Sequence, residues 1–145
     1  MSRYPIRRRD FLKTVAAAAA VPLAGRPIPA LTSGFDAKGL PTAVLGKTGV
    51  AVPRIGIGLG SRFCAVEDED KALGILETAL DQGFFYWDTA YSYTNKKIVS
   101  EECIGRVLAR RRNEVFLATK FEERSYDGVM RQLDESLKRL RTDHL

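Results

Sequence analysis

The sequence predicts an α/β fold: the N-terminal part of a (β/α)8 TIM barrel, about three βα units preceded by a β-hairpin, with the barrel incomplete. Three observations predict it. Short apolar runs alternate with stretches of helical periodicity, the pattern of parallel strands joined by crossover helices. Gly60, Asp88 and Lys120 each stand where a strand run ends, and barrel active sites are built on the loops that follow strands. The chain has 145 residues, against about 250 for a complete barrel, so the expectation is a partial one. A doubly wound sheet also binds ligands at its strand ends and is the competing architecture.

Residues 1–30 read as an export signal. They hold six cations and one acid, which accounts for the whole net charge of +5. The remaining 17 cations balance 17 acids, so the basic balance marks a targeting segment and not a nucleic-acid footprint. Arg8-Arg9-Asp10-Phe11-Leu12-Lys13 resembles the twin-arginine motif R-R-x-F-L-K, with Arg7 where Ser or Thr is usual. The apolar stretch 14–23 has ten residues, and a bilayer span needs ~20. The expectation is export by the twin-arginine machinery to the periplasm or cell envelope, with no stable span unless the signal stays uncleaved. Residues 31–41, with Ser33, Gly34, Gly39 and Pro41, form a linker without periodicity.

Residues 42–145 form the folded domain. Apolar runs at 42–45 and 50–52 flank Gly46-Lys47-Thr48-Gly49 and predict a hairpin. A first strand is expected over 54–59, between Pro53 and Gly60. A helix follows over 69–82: Ala72, Ile75, Ala79 and Leu73, Leu76, Leu80 share a face, and Gly83 ends it. The second strand is 84–87. Ser100 is the expected N-cap of the next helix, whose first turn carries acids and whose buried side is Cys103, Ile104, Val107 and Leu108. The third strand is 114–119. The third helix, 126–141, places Val129, Leu133, Leu137 and Leu140 at helical spacing. Arg110-Arg111-Arg112 reads as a solvated helix end. Cys103 reads as a buried small apolar residue and Cys64 as a loop thiol; a pairing of the two stays open for an exported protein. Neither CxxC spacing nor a histidine cluster is present, so no metal site is expected.

The chemistry lies in Phe84-Phe85-Tyr86-Trp87-Asp88-Thr89-Ala90-Tyr91-Ser92-Tyr93 and in Thr119-Lys120. An acid, a phenol and an amine at the ends of successive strands can polarise a carbonyl group. Singly, Asp88 reads as a loop cap, Tyr93 as a surface aromatic and Lys120 as a solvated strand end. Their order within a wider set of motifs makes them a set.

Those motifs are Leu45-Gly46-Lys47-Thr48-Gly49, Val52-Pro53-Arg54-Ile55-Gly56-Ile57-Gly58, Trp87-Asp88-Thr89-Ala90 with Tyr93, Ser100-Glu101-Glu102, Ile104-Gly105-Arg106-Val107-Leu108, Thr119-Lys120 and Leu133-Asp134-Glu135-Ser136-Leu137-Lys138-Arg139-Leu140. Over about 42–145 the chain resembles the aldo-keto reductase family. The resemblance implies NADP(H)-dependent reduction of an aldehyde or ketone and a tetrad of Asp, Tyr, Lys and His. Asp88, Tyr93 and Lys120 match the first three by motif position. Tyr93 is then the general acid, and Asp88 holds the Lys120 ammonium that tunes the phenol. Gly60, Ser61 and Asp88 are expected beside the nicotinamide. The tetrad histidine would lie beyond the last residues; His144 stands in the preceding turn and is not assigned to it. Where the family commonly has glycine after the tyrosine, this chain has Thr94, and the loop Asn95-Lys96-Lys97-Ile98-Val99 is basic. Tyr91 is the rival phenol.

Two other readings compete. Tyr93 and Lys97 spell Y-x-x-x-K, the short-chain dehydrogenase pair, which needs helical spacing in what reads as a loop. Gly56, Gly58 and Gly60 give G-x-G-x-G without a helix close behind, a weak phosphate loop. The second class is non-enzymatic: a truncated or split chain that acts by associating with another chain through an open strand edge. The 145-residue chain alone is expected not to turn over NADPH.

Overall fold

In the computed structural model, which describes residues 35–145, the chain enters through a hairpin of β1 (Thr42–Val44) and β2 (Ala51–Pro53). The expected export segment, 1–30, and the start of the expected linker lie outside the described residues. The two strands are antiparallel, with Ala43 opposite Val52. Thr48 closes the turn, its hydroxyl donating to the Leu45 carbonyl at 2.7 Å. β1 is exposed along its length, whereas Val52 and Pro53 are buried.

β3 is only Ile57–Gly58, shorter than the expected 54–59. The Arg54 N–H extends the hairpin instead, donating to the Pro41 carbonyl at 2.9 Å. β3 also pairs with a single neighbour among the described residues. One helical turn, α1 (Ser61–Cys64), follows. It carries Cys64 into the core at 2% exposure. Cys64 is thus not the loop thiol the sequence suggested, because this turn points it inward beside Phe63. Both cysteines are free and buried.

α2 (Glu69–Asp81) starts at an Asp68 cap whose carboxylate accepts from the Lys71 N–H at 3.1 Å. Ala72, Leu76, Ala79 and Leu80 are buried, while Ile75, expected on the same face, is exposed. Gly83 ends this segment at φ +89°, and a Cβ there would lie 2.2 Å from the Ala37 carbonyl oxygen. No other residue fits.

β4 (Tyr86–Asp88) and β5 (Phe116–Ala118) complete a parallel sheet in the order β3–β4–β5. Ile57 pairs with Trp87, and Trp87 with Leu117. Trp87 is wholly buried, and its indole N–H donates to the Phe84 carbonyl at 2.7 Å, as a buried indole requires. Helix α3 (Ser100–Arg111) joins β4 to β5, with a 3-10 turn at Arg112–Glu114. α4 (Tyr126–Leu140) follows β5, capped by the Ser125 hydroxyl, which accepts from the Gly128 N–H at 3.2 Å.

Three details depart from the sequence reading. Ser100 is the first helical residue and not the cap; Val99 takes that place without a side-chain bond. The fully buried row of α4 is Gly128, Gln132, Ser136 and Leu140, and Val129, Leu133 and Leu137 are half-buried beside it. The reason is close helix approach: a Cβ on Gly105 of α3 would lie 2.0 Å from the Arg139 carbonyl oxygen of α4. Of the arginine run, Arg110 is exposed yet pairs with Glu77 at 2.6 Å, and Arg111 meets Glu77, Asp81 and Glu114 at 2.8 Å each. Arg112 donates to the Val115 carbonyl at 2.7 Å. The acids of α2 draw this helix end against the molecule.

Candidate active site

The parallel ladder runs on past the strands it defines. The Thr89 N–H donates to the Ala118 carbonyl at 2.9 Å, and the Tyr91 N–H to the Lys120 carbonyl at 3.0 Å. Two loops leaving the sheet side by side bring Asp88 and Lys120 together. Lys120 Nζ donates to Asp88 Oδ2 and to the Thr89 carbonyl, each at 2.7 Å. The ammonium also lies 5.0 Å from the centre of the Tyr93 ring, within cation–π range.

Tyr93 is placed through its backbone. Its N–H donates to the Ala90 carbonyl at 3.0 Å, and its carbonyl accepts from the Ser100 N–H at 2.9 Å. The ring rests on Gly60: a Cβ there would stand 3.3 Å from Tyr93 Cε2. Between the end of β3 and this ring lies a cleft of about 440 Å³, lined by Gly58, Gly60, Ser61, Arg62, Asp88 and Tyr93 together with Ser92 and Thr94. Of the residues picked out from the sequence, Asp88, Tyr93, Gly60 and Ser61 line this cleft, and Lys120 stands behind it against Asp88 and the Tyr93 ring. Asp88 and Lys120 are half-exposed, at 45% and 48%.

The neighbouring candidates separate from the cleft. Tyr91 donates its hydroxyl to Glu135 at 2.5 Å, and Arg139 lies 4.4 Å over its ring. The bond to Glu135 pushes the Tyr91 phenol above its ordinary pKa. Lys97 lies in a non-helical loop and pairs with Glu67 at 2.9 Å, so the Y-x-x-x-K pair does not form. Asn95 organises this loop: its Oδ1 accepts from the Lys97 and Ile98 N–H groups at 2.8 and 2.7 Å, and its amide donates to the Cys64 carbonyl. His144 is exposed against Asp143, whose carboxyl it holds below the usual range. Among the described residues no cluster of three or more His, Cys, Asp or Glu could hold a metal ion. None of the described helices is long and apolar enough to cross a membrane.

The sequence reading missed four polar residues next to the site: Thr89, Ser100, Glu101 and Thr119. Thr89, Ser100 and Glu101 are 0% exposed. A signal was there, since helical spacing puts Ser100 in the row of Ile104, Val107 and Leu108.

The aldo/keto reductase family model matches residues 54–145. The chain belongs to the aldo/keto reductase family. It is 36% identical over 120 residues to the uncharacterized oxidoreductase YrpG of Bacillus subtilis, covering 70% of this chain and 36% of that protein. It is 40% identical over 100 residues to the aldo-keto reductase dtxS3 of Metarhizium robertsii, covering 63% and 26%. Among solved structures, a putative aldo-keto reductase from Pseudomonas aeruginosa superposes with a TM-score of 0.63 at 30% identity, over 78% of this chain and 46% of that one. An aldo-keto reductase from Klebsiella pneumoniae in complex with NADPH gives 0.57 at 29% identity, over 67% and 34%. These structural neighbours are TIM barrels, and this chain forms a partial α/β unit of that barrel with open sheets. The chain spans about a third of the length of the curated relatives and less than half of the solved structures that it matches.

Proposed function

We propose that this reductase-family chain is the N-terminal part of an NADP(H)-dependent enzyme that reduces a small-molecule aldehyde or ketone, with Tyr93 as general acid. One observation carries the reading: a single ammonium, Lys120 Nζ, bonds the Asp88 carboxylate and lies over the face of the Tyr93 ring, and Asp88 and Tyr93 both line one cleft. Reduction of a carbonyl needs a hydride at carbon and a proton at oxygen. Tyr93 gives the proton, and the phenolate left behind regains one from solvent. The ammonium beside it stabilises the negative charge that develops on the phenol oxygen. Asp88 keeps that ammonium in place.

The cleft fits the nicotinamide end of the cofactor. A Cβ built on Gly58 meets nothing within 4 Å, so the Gly58 side of the wall leaves room for a flat ring, while Gly60 is backed by the Tyr93 ring. Gly60, Ser61 and Asp88 would hold it. When bound, the cofactor supplies the hydride. Relatives solved with NADPH, or with NADP and acetate, support this choice.

The test is carbonyl-dependent NADPH oxidation by the full-length gene product. Tyr93→Phe is expected to lose about 10²-fold or more in kcat. Unchanged turnover would remove the acid assignment.

The segment 1–30 completes the proposal as a twin-arginine signal, followed by linker 31–41 and the reductase domain from 42 onward, and it places the enzyme in the periplasm or cell envelope. Replacing Arg8 and Arg9 by Lys should retain the protein in the cytoplasm on fractionation. Export unaffected by that change would refute the signal.

A further inference from the structure

The start of α3 reaches the chain segment of every member of the Asp88–Tyr93–Lys120 set. The Ser100 N–H donates to the Tyr93 carbonyl at 2.9 Å. The Ser100 hydroxyl pairs with the hydroxyl of Thr89, the residue after Asp88, at 2.9 Å. Glu101 Oε1 accepts at 2.8 Å from the hydroxyl of Thr119, the residue before Lys120. Ser100, Glu101 and Thr89 are entirely buried.

Stability alone does not account for this arrangement. A wholly buried carboxylate is costly to desolvate, and a well-packed apolar residue there would often be no worse. Its compensation is incomplete: Arg139 Nη1 stands 3.5 Å from Oε2, which accepts no hydrogen bond. What Glu101 supplies and an apolar side chain would not is direction, a fixed acceptor aimed at Thr119. Direction matters here because β4 and β5 are three residues long, and past the Asp88–Ala118 pair the ladder thins to the backbone bonds Thr89–Ala118 and Tyr91–Lys120. Asp88 ends β4, and Tyr93 and Lys120 stand on the loops beyond the strands. The same use explains why Ser100 does not cap its helix, since its hydroxyl is turned to Thr89.

We propose that Ser100 and Glu101 are positioning residues, gripping the chain just past Asp88 at the end of β4 and the two loop segments that carry Tyr93 and Lys120, and holding those three side chains in mutual register for carbonyl reduction. The proposal rests on the assignment of that set as the reducing site. A misplacement of about 1 Å in such a set can cost ~10²-fold in rate.

The experiment uses the full-length enzyme with a carbonyl substrate and NADPH, at a temperature where every variant is folded by its melting curve. Thr119→Val and Thr89→Val remove one hydroxyl each at nearly constant shape. Each is expected to lower kcat by about tenfold or more, with KM for NADPH little changed. Thr119→Ser and Thr89→Ser, which restore the hydroxyl, should recover most of kcat. Ser100→Ala should match Thr89→Val, and the double variant should be no worse than either single one. Wild-type kcat in the folded valine variants overturns the proposal, as does a lowered melting temperature alone. A loss that serine does not repair, or losses that add in the double variant, overturn it as well. Tyr93→Phe is run in parallel: if it stays active, the acid assignment fails and the proposal falls with it. If it is inactive and the valine variants are normal, only the positioning role fails.

Discussion

Tyr91 and Tyr93 are two residues apart and do different work. The loop turns Tyr91 toward α4, where Glu135 takes its hydroxyl at 2.5 Å. It turns Tyr93 onto Gly60 beside the Lys120 ammonium. Tyr91→Phe is therefore expected to keep turnover close to the parent value, whereas Lys120→Met should lose about 10²-fold in kcat. A dead Tyr91→Phe variant beside an active Tyr93→Phe variant would show that the phenols had been assigned the wrong way round. The cysteines make a second residue-scale prediction. Burial pushes the Cys103 thiol up to about 11 from an ordinary 9.0, and Cys64 rises for the same reason. A raised thiol pKa means the folded state keeps its proton longer than the unfolded one. Its contribution to stability is then complete below pH 9.0 and is lost as pH rises toward about 11. In native protein neither thiol should react with iodoacetamide near neutral pH, and both should react once the chain is unfolded; intact-mass measurement reads the difference.

At the scale of elements, α3 meets α4 with less room at Gly105 than any other glycine among the described residues has. A methyl group there would fall 2.0 Å from the Arg139 carbonyl oxygen. Gly105→Ala should destabilise by about 2 kcal/mol or more, read as a lower denaturant midpoint by circular dichroism. Asp68→Ala, which removes only the α2 cap, should cost about 1 kcal/mol. Equal midpoints for parent and Gly105→Ala would mean that the helices separate at little cost. Helices α2, α3 and α4 were legible in the sequence because each carries a 3.6-residue apolar period, and Gly83 marks the end of the first. The strands were legible in order but not in length. Two or three residues suffice to define each strand; Arg54 went to the hairpin through its bond to Pro41, and the chain bends at 54–55 before β3.

At the scale of the whole molecule, the three-stranded sheet leaves an unpaired edge on β3 and another on β5 among the described residues. Ile75 of α2 and Met130 and Tyr126 of α4 are exposed at 44%, 39% and 79%. Open edges beside apolar side chains invite pairing with another chain. Produced on its own, the 145-residue chain should self-associate with rising concentration in analytical ultracentrifugation and show no NADPH turnover. A monomer at every concentration would contradict the first expectation, and robust activity the second. The sequence by itself determined the alternation of strands and helices, the family, and the positions of Asp88, Tyr93 and Lys120, because periodicity and motif order are properties of the linear chain. The tertiary structure alone decided that Tyr91 turns to Glu135, that Cys64 lies in the core, and that Ser100 and Glu101 bond Thr89 and Thr119. Those outcomes depend on which side chains meet across loops and helices 11 to 44 residues apart, and no local pattern encodes such meetings.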